Sequence, residues 1–452
     1  MSEEEVKTIE PELKTVYDFV THEQKYGKRV EDVITSYINK QDLAQQIYKI
    51  QPYFYDKNSI WWFWNDSLKK WEIVDDTQIL VMVSEKSNAN TISSKDRTEI
   101  IESMKQFGRK KIPEAIKKNW VQFVDRIYDL SDGSFMDATP KYFVTNPIPW
   151  EVSGNPETPT IDKIFEEWVG EEYKQLLHEI VAYCLLPDYP INRLFCFIGS
   201  GMNGKSCFLN LLKKFVGDDN ICSTELDTLL SSRFEVTRLH KKLVCFMGET
   251  NFDEISKTSM LKKLTGGDII GFEYKNKTPF EDYNYAKILI ATNNLPSTTD
   301  KTLGFYRRWC IIDFPNKFSE KKDILKDIPE EEYKNLATNC IITLNKLLKE
   351  REFTNEGTIE ERAEKYESKS NFLDKFLKLF VIEDFEGYIT KSDFSKKFNS
   401  WCKENKHREM SDTTIGLEMK KKGFESSTKH FNWMNDGKGG TARVWLSMKW
   451  KE

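Results

Sequence analysis

From about residue 15 to residue 185 the apolar positions recur mainly three and four apart, the period of a helix with one buried face. RTEIIESMKQF (97–107) and IPEAIKKNWVQFVDRIYDL (112–130) carry this pattern most clearly. One stretch departs from it. IWWFWNDSLKKWEIV, Ile60 to Val74, sets two aromatic-rich runs on either side of an Asn-Asp turn and predicts a hairpin. Its tryptophans could stack on bases, but a packed hairpin core accounts for them without any ligand. TNPIPWEVSGNPETPT (145–160) concentrates turn formers and predicts a linker-like traverse.

Beyond about residue 187 the texture changes to short apolar runs: RLFCFIG, KLVCFMGE, AKILIATN and RWCIIDF. Strands of a parallel sheet read this way, because helices cover both faces and the alternation disappears. After about 320 the chain is helical and charged as far as IEERAEKYESKSN. A last unit ends in KHFNWMNDGKGGTARVWLSMKW, a hairpin turned by a glycine-rich run. The prediction is therefore an α/β chain: a mainly helical N-terminal domain with a small aromatic hairpin (1–185), a parallel-sheet domain (186–320), a helical connector (321–369) and a C-terminal unit (370–452). No internal repeat or low-complexity tract is present.

Composition narrows the function. The chain has 452 residues, 39% hydrophobic and 31% charged, which permits a large core. No basic-then-apolar leader opens it and no run of about 18 apolar residues occurs, so a cytoplasmic protein without membrane contact is expected. The eight cysteines are scattered and several lie in apolar runs, predicting reduced, buried thiols. The five histidines show no ligand spacing, and no zinc site is expected. A net charge of −5 argues against coating nucleic acid by overall basicity. Any binding to DNA must come from local patches.

The sharpest chemical signal is FIGSGMNGKS. Residues Gly199, Ser200, Gly201, Met202, Asn203, Gly204, Lys205 and Ser206 fit G-x-x-x-x-G-K-S/T, directly after an apolar strand and before the amphipathic SCFLNLLKKF. Strand, loop and helix are the parts a phosphate cradle needs, since loop N–H groups and the helix dipole converge on an anion. Lys205 would contact the β- and γ-phosphates of ATP, and Ser206 would hold Mg²⁺. Hydrolysis needs further groups. KKLVCFMGETN is a strand ending in Glu249, placed as a general base and metal ligand. AKILIATNNLP ends in Asn293, able to polarise the attacking water. GFYRRWCIIDF puts Arg307 and Arg308 before a third strand, where one could reach a neighbour's phosphate. The bland alternatives are a solvated acid, a turn-forming Asn and surface salt-bridge partners.

In this order and spacing the pieces resemble the superfamily 3 helicases of the AAA+ class, in particular the phage and plasmid primase-helicases and the poxvirus primase-helicase. The resemblance covers about residues 110 to 320. It rests on FVDRIYDLSDGSFMDATPKYFVTNPIPWEV before the ATPase, GSGMNGKS, LKKLTGGDIIGFEYKNKTPF, ATNNLP and RRWCIIDF. It implies an AAA+ P-loop fold, ATP with Mg²⁺, and a homo-hexamer moving 3′ to 5′ on single-stranded DNA. By the same match Asn293 is the sensor asparagine, Arg308 the trans-acting finger, and Lys275 and Lys277, in FEYKNK, the DNA contacts of a pore hairpin. One departure stands out: many relatives have two adjacent acids after the second strand, whereas here Gly248 takes the first place and Glu249 alone remains. Water or Thr250 would then complete the metal sphere.

The C-terminal unit resembles a winged helix, with SDTTIGLEMKKKG (411–423) as a capped helix and Lys438 and Arg443 on the wing, both candidate DNA contacts. Residues 401–452 hold eleven Lys/Arg against seven Asp/Glu. A protein-docking module is the alternative. For the whole chain the competing readings are an ATP-switched replication initiator or loader that does not unwind, and a small-molecule kinase. Priming would fall to a separate primase or polymerase, because no acidic cluster before residue 185 has the look of a polymerase metal site.

Overall fold

The computed structural model describes residues 30–87, 93–248, 254–255, 257–275, 277–319, 323–370, 372–404, 409–431 and 440–451. The chain opens with helix α1 (Val30–Ile50) and a three-stranded antiparallel sheet, β1 (Tyr53–Tyr55), β2 (Trp61–Asn65) and β3 (Lys70–Val74). The hairpin expected at 60–74 is β2 and β3, and it has gained β1 as a third strand. Trp61, Trp62, Trp64 and Trp71 are all buried, so they serve packing and present no surface for bases. Helices α2 (Asp76–Ser87) and α3 (Ser94–Gly108) follow, the latter capped by the Ser93 hydroxyl accepting from the Asp96 N–H.

Residues 112–130 depart from the helical expectation. They form strands β4 (Trp120–Phe123) and β5 (Arg126–Asp129), which pair with each other and then with β6 (Phe135–Asp137). All four positions of β4 are buried. Burial on both faces removed the alternation that marks a strand, and the remaining apolar positions happened to fall at helical spacing. The content of Trp, Val, Phe, Ile and Tyr was the better guide. The described part of the N-terminal region thus carries a second three-stranded sheet among its helices.

Helices α4 (Pro159–Val169) and α5 (Glu171–Cys184) lead into the central sheet. Strand β7 (Leu194–Ile198) is followed by helix α6 (Lys205–Val216) and by β8 (Ile221–Ser223). Short helices α7 (Leu226–Ser231) and α8 (Arg233–Val236) come next, then β9 (Val244–Met247), the two-residue β10 (Glu254–Ile255) and helix α9 (Thr258–Leu264). A hairpin of β11 (Ile269–Phe272) and β12 (Phe280–Tyr283) precedes β13 (Lys287–Thr292). The two-residue β14 (Ser297–Thr298), helix α10 (Leu303–Tyr306) and β15 (Trp309–Asp313) complete the set. The sheet is five-stranded and parallel, in the order β15-β7-β13-β9-β8.

Both faces of this sheet are covered, as the continuous apolar runs predict. Phe195 and Phe197 of β7 pack on one side with α4, α5, α6 and α11 (Glu330–Glu350). Leu194, Cys196 and Ile198 pack on the other with α7, α9, β11, β12 and the aromatic sheet around Trp62, Trp64 and Trp71. Each core therefore runs across residue 185. The 145–160 traverse is irregular but packed: the amide of buried Asn146 donates to Asn220 Oδ1 and to the Lys241 carbonyl, both at 2.9 Å. Overall this is an α/β nucleoside-triphosphatase-like fold built on a five-stranded parallel sheet.

Helix α12 (Ile359–Ser370) leads to a C-terminal unit with its own core of Leu373, Phe376, Phe394, Phe398, Trp401 and Trp445 among others. Its elements run α13 (Phe372–Phe380), β16 (Val381–Thr390), α14 (Lys391–Glu404), α15 (Asp412–Lys421), β17 (Ser426–Phe431) and β18 (Gly440–Trp450). The strands form an antiparallel sheet in the order β16-β18-β17. Among the described residues no helix is long and apolar enough to cross a membrane.

Candidate functional site

At the carboxyl end of β7 the chain turns sharply where glycines leave room that a Cβ would fill. A Cβ on Gly199 would lie 1.6 Å from the Asn203 amide nitrogen and 2.8 Å from the Phe314 carbonyl oxygen. Gly201, Met202 and Gly204 all have positive φ, and a Cβ on Gly204 would lie 2.5 Å from the Trp168 ring. Helix α6 starts at once, at Lys205, with Gly204 as a cap that offers no side-chain acceptor. The N–H groups of its first turn, and the partial positive charge of a 12-residue helix, therefore face the loop.

Two polar side chains brace the loop from inside. Asn203 is buried and donates from Nδ2 to the Phe314 carbonyl at 3.2 Å, tying the loop to the exit of β15. Lys205, also buried, donates from Nζ to the Gly199 carbonyl at 2.6 Å, to Asn203 Oδ1 at 3.1 Å and to Asn293 Oδ1 at 3.3 Å. Asn293 follows directly on β13, the strand beside β7, so two residues 88 apart in sequence meet at the loop. Ser206 is exposed on the first turn of α6. Gly248 is exposed just after β9, while Glu249 and Thr250 lie outside the described residues.

The arginine pair is placed differently from the expectation. Arg308 is only 7% exposed and its guanidinium turns inward. Nε donates to Thr265 Oγ1 at 2.9 Å, Nη2 to the Lys262 carbonyl at 3.2 Å, and Nη1 to the Gly304 carbonyl. These bonds clamp α9 to α10. Arg307, one residue earlier, is exposed. Sequence spacing alone does not separate the two arginines, which the fold turns in opposite directions.

The β11–β12 hairpin has the register Phe272 to Phe280 at its tip end and exposes Lys275 and Lys277 on the connecting turn. The hairpin is held to the body along its length by residues with no motif of their own. Thr237 Oγ1 donates to the Glu273 carbonyl at 3.1 Å and accepts from the Glu273 N–H at 2.8 Å. His240 Nδ1 lies 2.8 Å from the Tyr274 hydroxyl and its Nε2 3.3 Å from Asp282 Oδ2, which also accepts from Lys241 Nζ at 2.8 Å. Burial pushes the His240 imidazole below its ordinary value, although Asp282 opposes the shift. A lone histidine carries no sequence signal for such a role. In the C-terminal unit Arg443 is exposed on β18 opposite Thr428, and Lys438 lies outside the described residues.

A family model overlaps the loop and the hairpin. It is described as a family of unknown function, DUF5906, and matches residues 197–308. The chain is also similar to an Acanthamoeba polyphaga mimivirus protein named "Putative helicase L207/L206", at 27% identity over 225 residues. That alignment takes in 47% of this chain and 23% of the mimivirus protein, so the chain spans about a quarter of its relative's length. Among solved structures, the A form apo structure of the NrS-1 C terminal region aligns over 90% of this chain and 98% of its own, with 14% identity and a TM-score of 0.48. A second apo structure of the same region aligns over 90% and 99%, with 14% identity and a TM-score of 0.47.

Proposed function

We propose that this chain is the ATP-driven motor of a DNA helicase of the superfamily 3 type, serving replication of a virus, phage or plasmid-like element. The observation that carries the reading is the convergence of Lys205, Asn203 and Asn293 on a glycine-built loop at the head of α6, between the ends of adjacent parallel strands. The helicase name of the mimivirus relative points the same way.

The residues present fit a nucleoside triphosphate. Loop and α6 N–H groups would bind the phosphates, and Lys205 would exchange the Gly199 and Asn293 oxygens for those of the β- and γ-phosphates. Asn293 would then orient the attacking water. The water attacks the γ-phosphorus, its proton passes to the Glu249 carboxylate, and ADP departs. Mg²⁺, held by Ser206 and Glu249 with water or Thr250, would neutralise charge on the phosphate oxygens. Arg307 of the adjacent copy is the finger in this scheme, a role worth ~10³ to 10⁵ in rate. Hydrolysis then belongs to the seam between copies of a ring, hexameric and 3′ to 5′ by resemblance. Lys275 and Lys277 from each copy would line its channel for single-stranded DNA.

The test is strand displacement on a 3′-tailed duplex with ATP and Mg²⁺. Unwinding that disappears in Lys205→Ala supports the motor. Binding and hydrolysis without any displacement would favour an initiator or loader instead.

A further inference from the structure

The C-terminal unit gathers three cations from three elements. Lys391 opens α14, Lys420 lies near the end of α15, and Arg443 projects from β18. Thr390 pairs with Val444, which brings Lys391, the next residue, beside Arg443. Lys391 Nζ stands 3.9 Å from the Trp445 ring centroid, lying across that ring. Partial burial, then the like charges of Lys420 and Arg443, push the Lys391 ammonium below the ordinary lysine value. The ion pairs of this unit among the described residues, Lys422 with Asp374 and Lys449 with Asp384, use other lysines. Like charges gathered in one place repel one another until an anion arrives, although Asp393, whose Oδ2 accepts from the Thr390 hydroxyl at 2.7 Å, stands two residues from Lys391.

We propose that Lys391, Lys420 and Arg443 form a binding site for the phosphodiester backbone of duplex DNA. It rests on the reading of the chain as a DNA-processing ATPase and adds a second, separate contact with the polymer. Duplex is favoured over single strands by the aromatic at the site: Trp445 is 1% exposed beneath Lys391 and offers no face for an unpaired base. Cations without a base-stacking surface grip phosphates and hold a register on the helix, which gives affinity without sequence preference.

The experiment measures binding of the full chain, without nucleotide, to a blunt duplex of about 30 base pairs across a salt series. The variant is K391Q/K420Q/R443Q, since glutamine keeps an aliphatic stem over Trp445 while removing charge. The slope of log affinity against log salt should become shallower by about 2.7, at about 0.9 per phosphate contact, with affinity falling ~10²-fold at moderate salt. DNA-free ATP hydrolysis should stay unchanged, and K391R/K420R/R443K should restore the slope. Should the triple variant fail to fold, Arg443→Gln alone, at an exposed position, must lower the slope by about 0.9. A wild-type slope in a folded variant overturns the site while leaving the helicase reading intact. Wild-type protein that does not bind the duplex overturns the site along with any DNA role for this unit, whereas unwinding that still depends on Lys205 shows the motor standing apart from it.

Discussion

The glycine-built loop after β7 and the hairpin tip both turn on lysines, and they hold them in opposite ways. Lys205 is buried and spends its ammonium on three oxygens of its own chain. Lys275 and Lys277 stand exposed on the β11–β12 turn. A buried ammonium must be matched locally, so a single chain supplies its oxygens from the loop and from the end of β13. An exposed pair gains strength only when copies converge and water is displaced, so the polymer site would come into being with the ring. The arginine pair repeats the contrast at adjacent positions, with Arg308 turned inward and Arg307 outward.

The largest effect that could break this comparison lies in that pair. Arg307→Ala should lower the maximal hydrolysis rate by ~10³ or more with no change in thermal unfolding. Arg308→Ala should instead destabilise the fold by about 3 kcal/mol, because it strips donors from the Gly304 and Lys262 carbonyls and from Thr265. Steady-state phosphate release and thermal melts on both variants decide it; the reverse pattern would return the finger to Arg308. Next in size, Lys275→Ala with Lys277→Ala should weaken single-strand affinity ~10-fold and abolish DNA stimulation of hydrolysis. The DNA-free rate should hold. A loss of that basal rate would mean the tip belongs to the nucleotide site.

The smallest effect concerns the hairpin's attachment to the body. Because burial lowers the folded pKa of His240, the folded chain holds fewer protons than the unfolded chain just below the ordinary histidine value of about 6.5. The stability that neutral His240 contributes is complete above about 6.5 and is lost as pH falls through its lower folded value. Asp282, whose carboxyl lies far below the usual range, stays ionised throughout that window. Wild-type melting temperature should therefore drop more steeply between about pH 7 and pH 5 than that of His240→Gln. Parallel curves would show that this attachment does not titrate.

How much of this was legible beforehand followed from how local the constraint is. Runs such as RLFCFI and AKILIAT are buried on both faces, so β7 and β13 could be read from composition alone. The turn at 199–204 is dictated by glycines within six residues, and the strand, loop and helix around it were readable for that reason. The same double burial misled at β4, where an apolar run gave no period of its own and chance spacing suggested a helix. The inward turn of Arg308 depends on Thr265 and Lys262, more than forty residues away, and the hairpin's attachment on His240 meeting Asp282. The cluster of Lys391, Lys420 and Arg443 joins three elements that only the folded sheet brings together. Pairwise contacts at such range leave no mark on one sequence.

The central claim, a nucleotide site shared between copies, is tested most directly by mixing two inactive variants. Lys205→Ala lacks the cradle and Arg307→Ala lacks the finger, yet a random ring of both contains seams where an intact lysine faces an intact arginine. Hydrolysis should recover to about a quarter of the wild-type rate in a 1:1 mixture, as expected for head-to-tail contacts between copies. A mixture as inactive as its two components, though assembled into the same ring, would contradict the shared site.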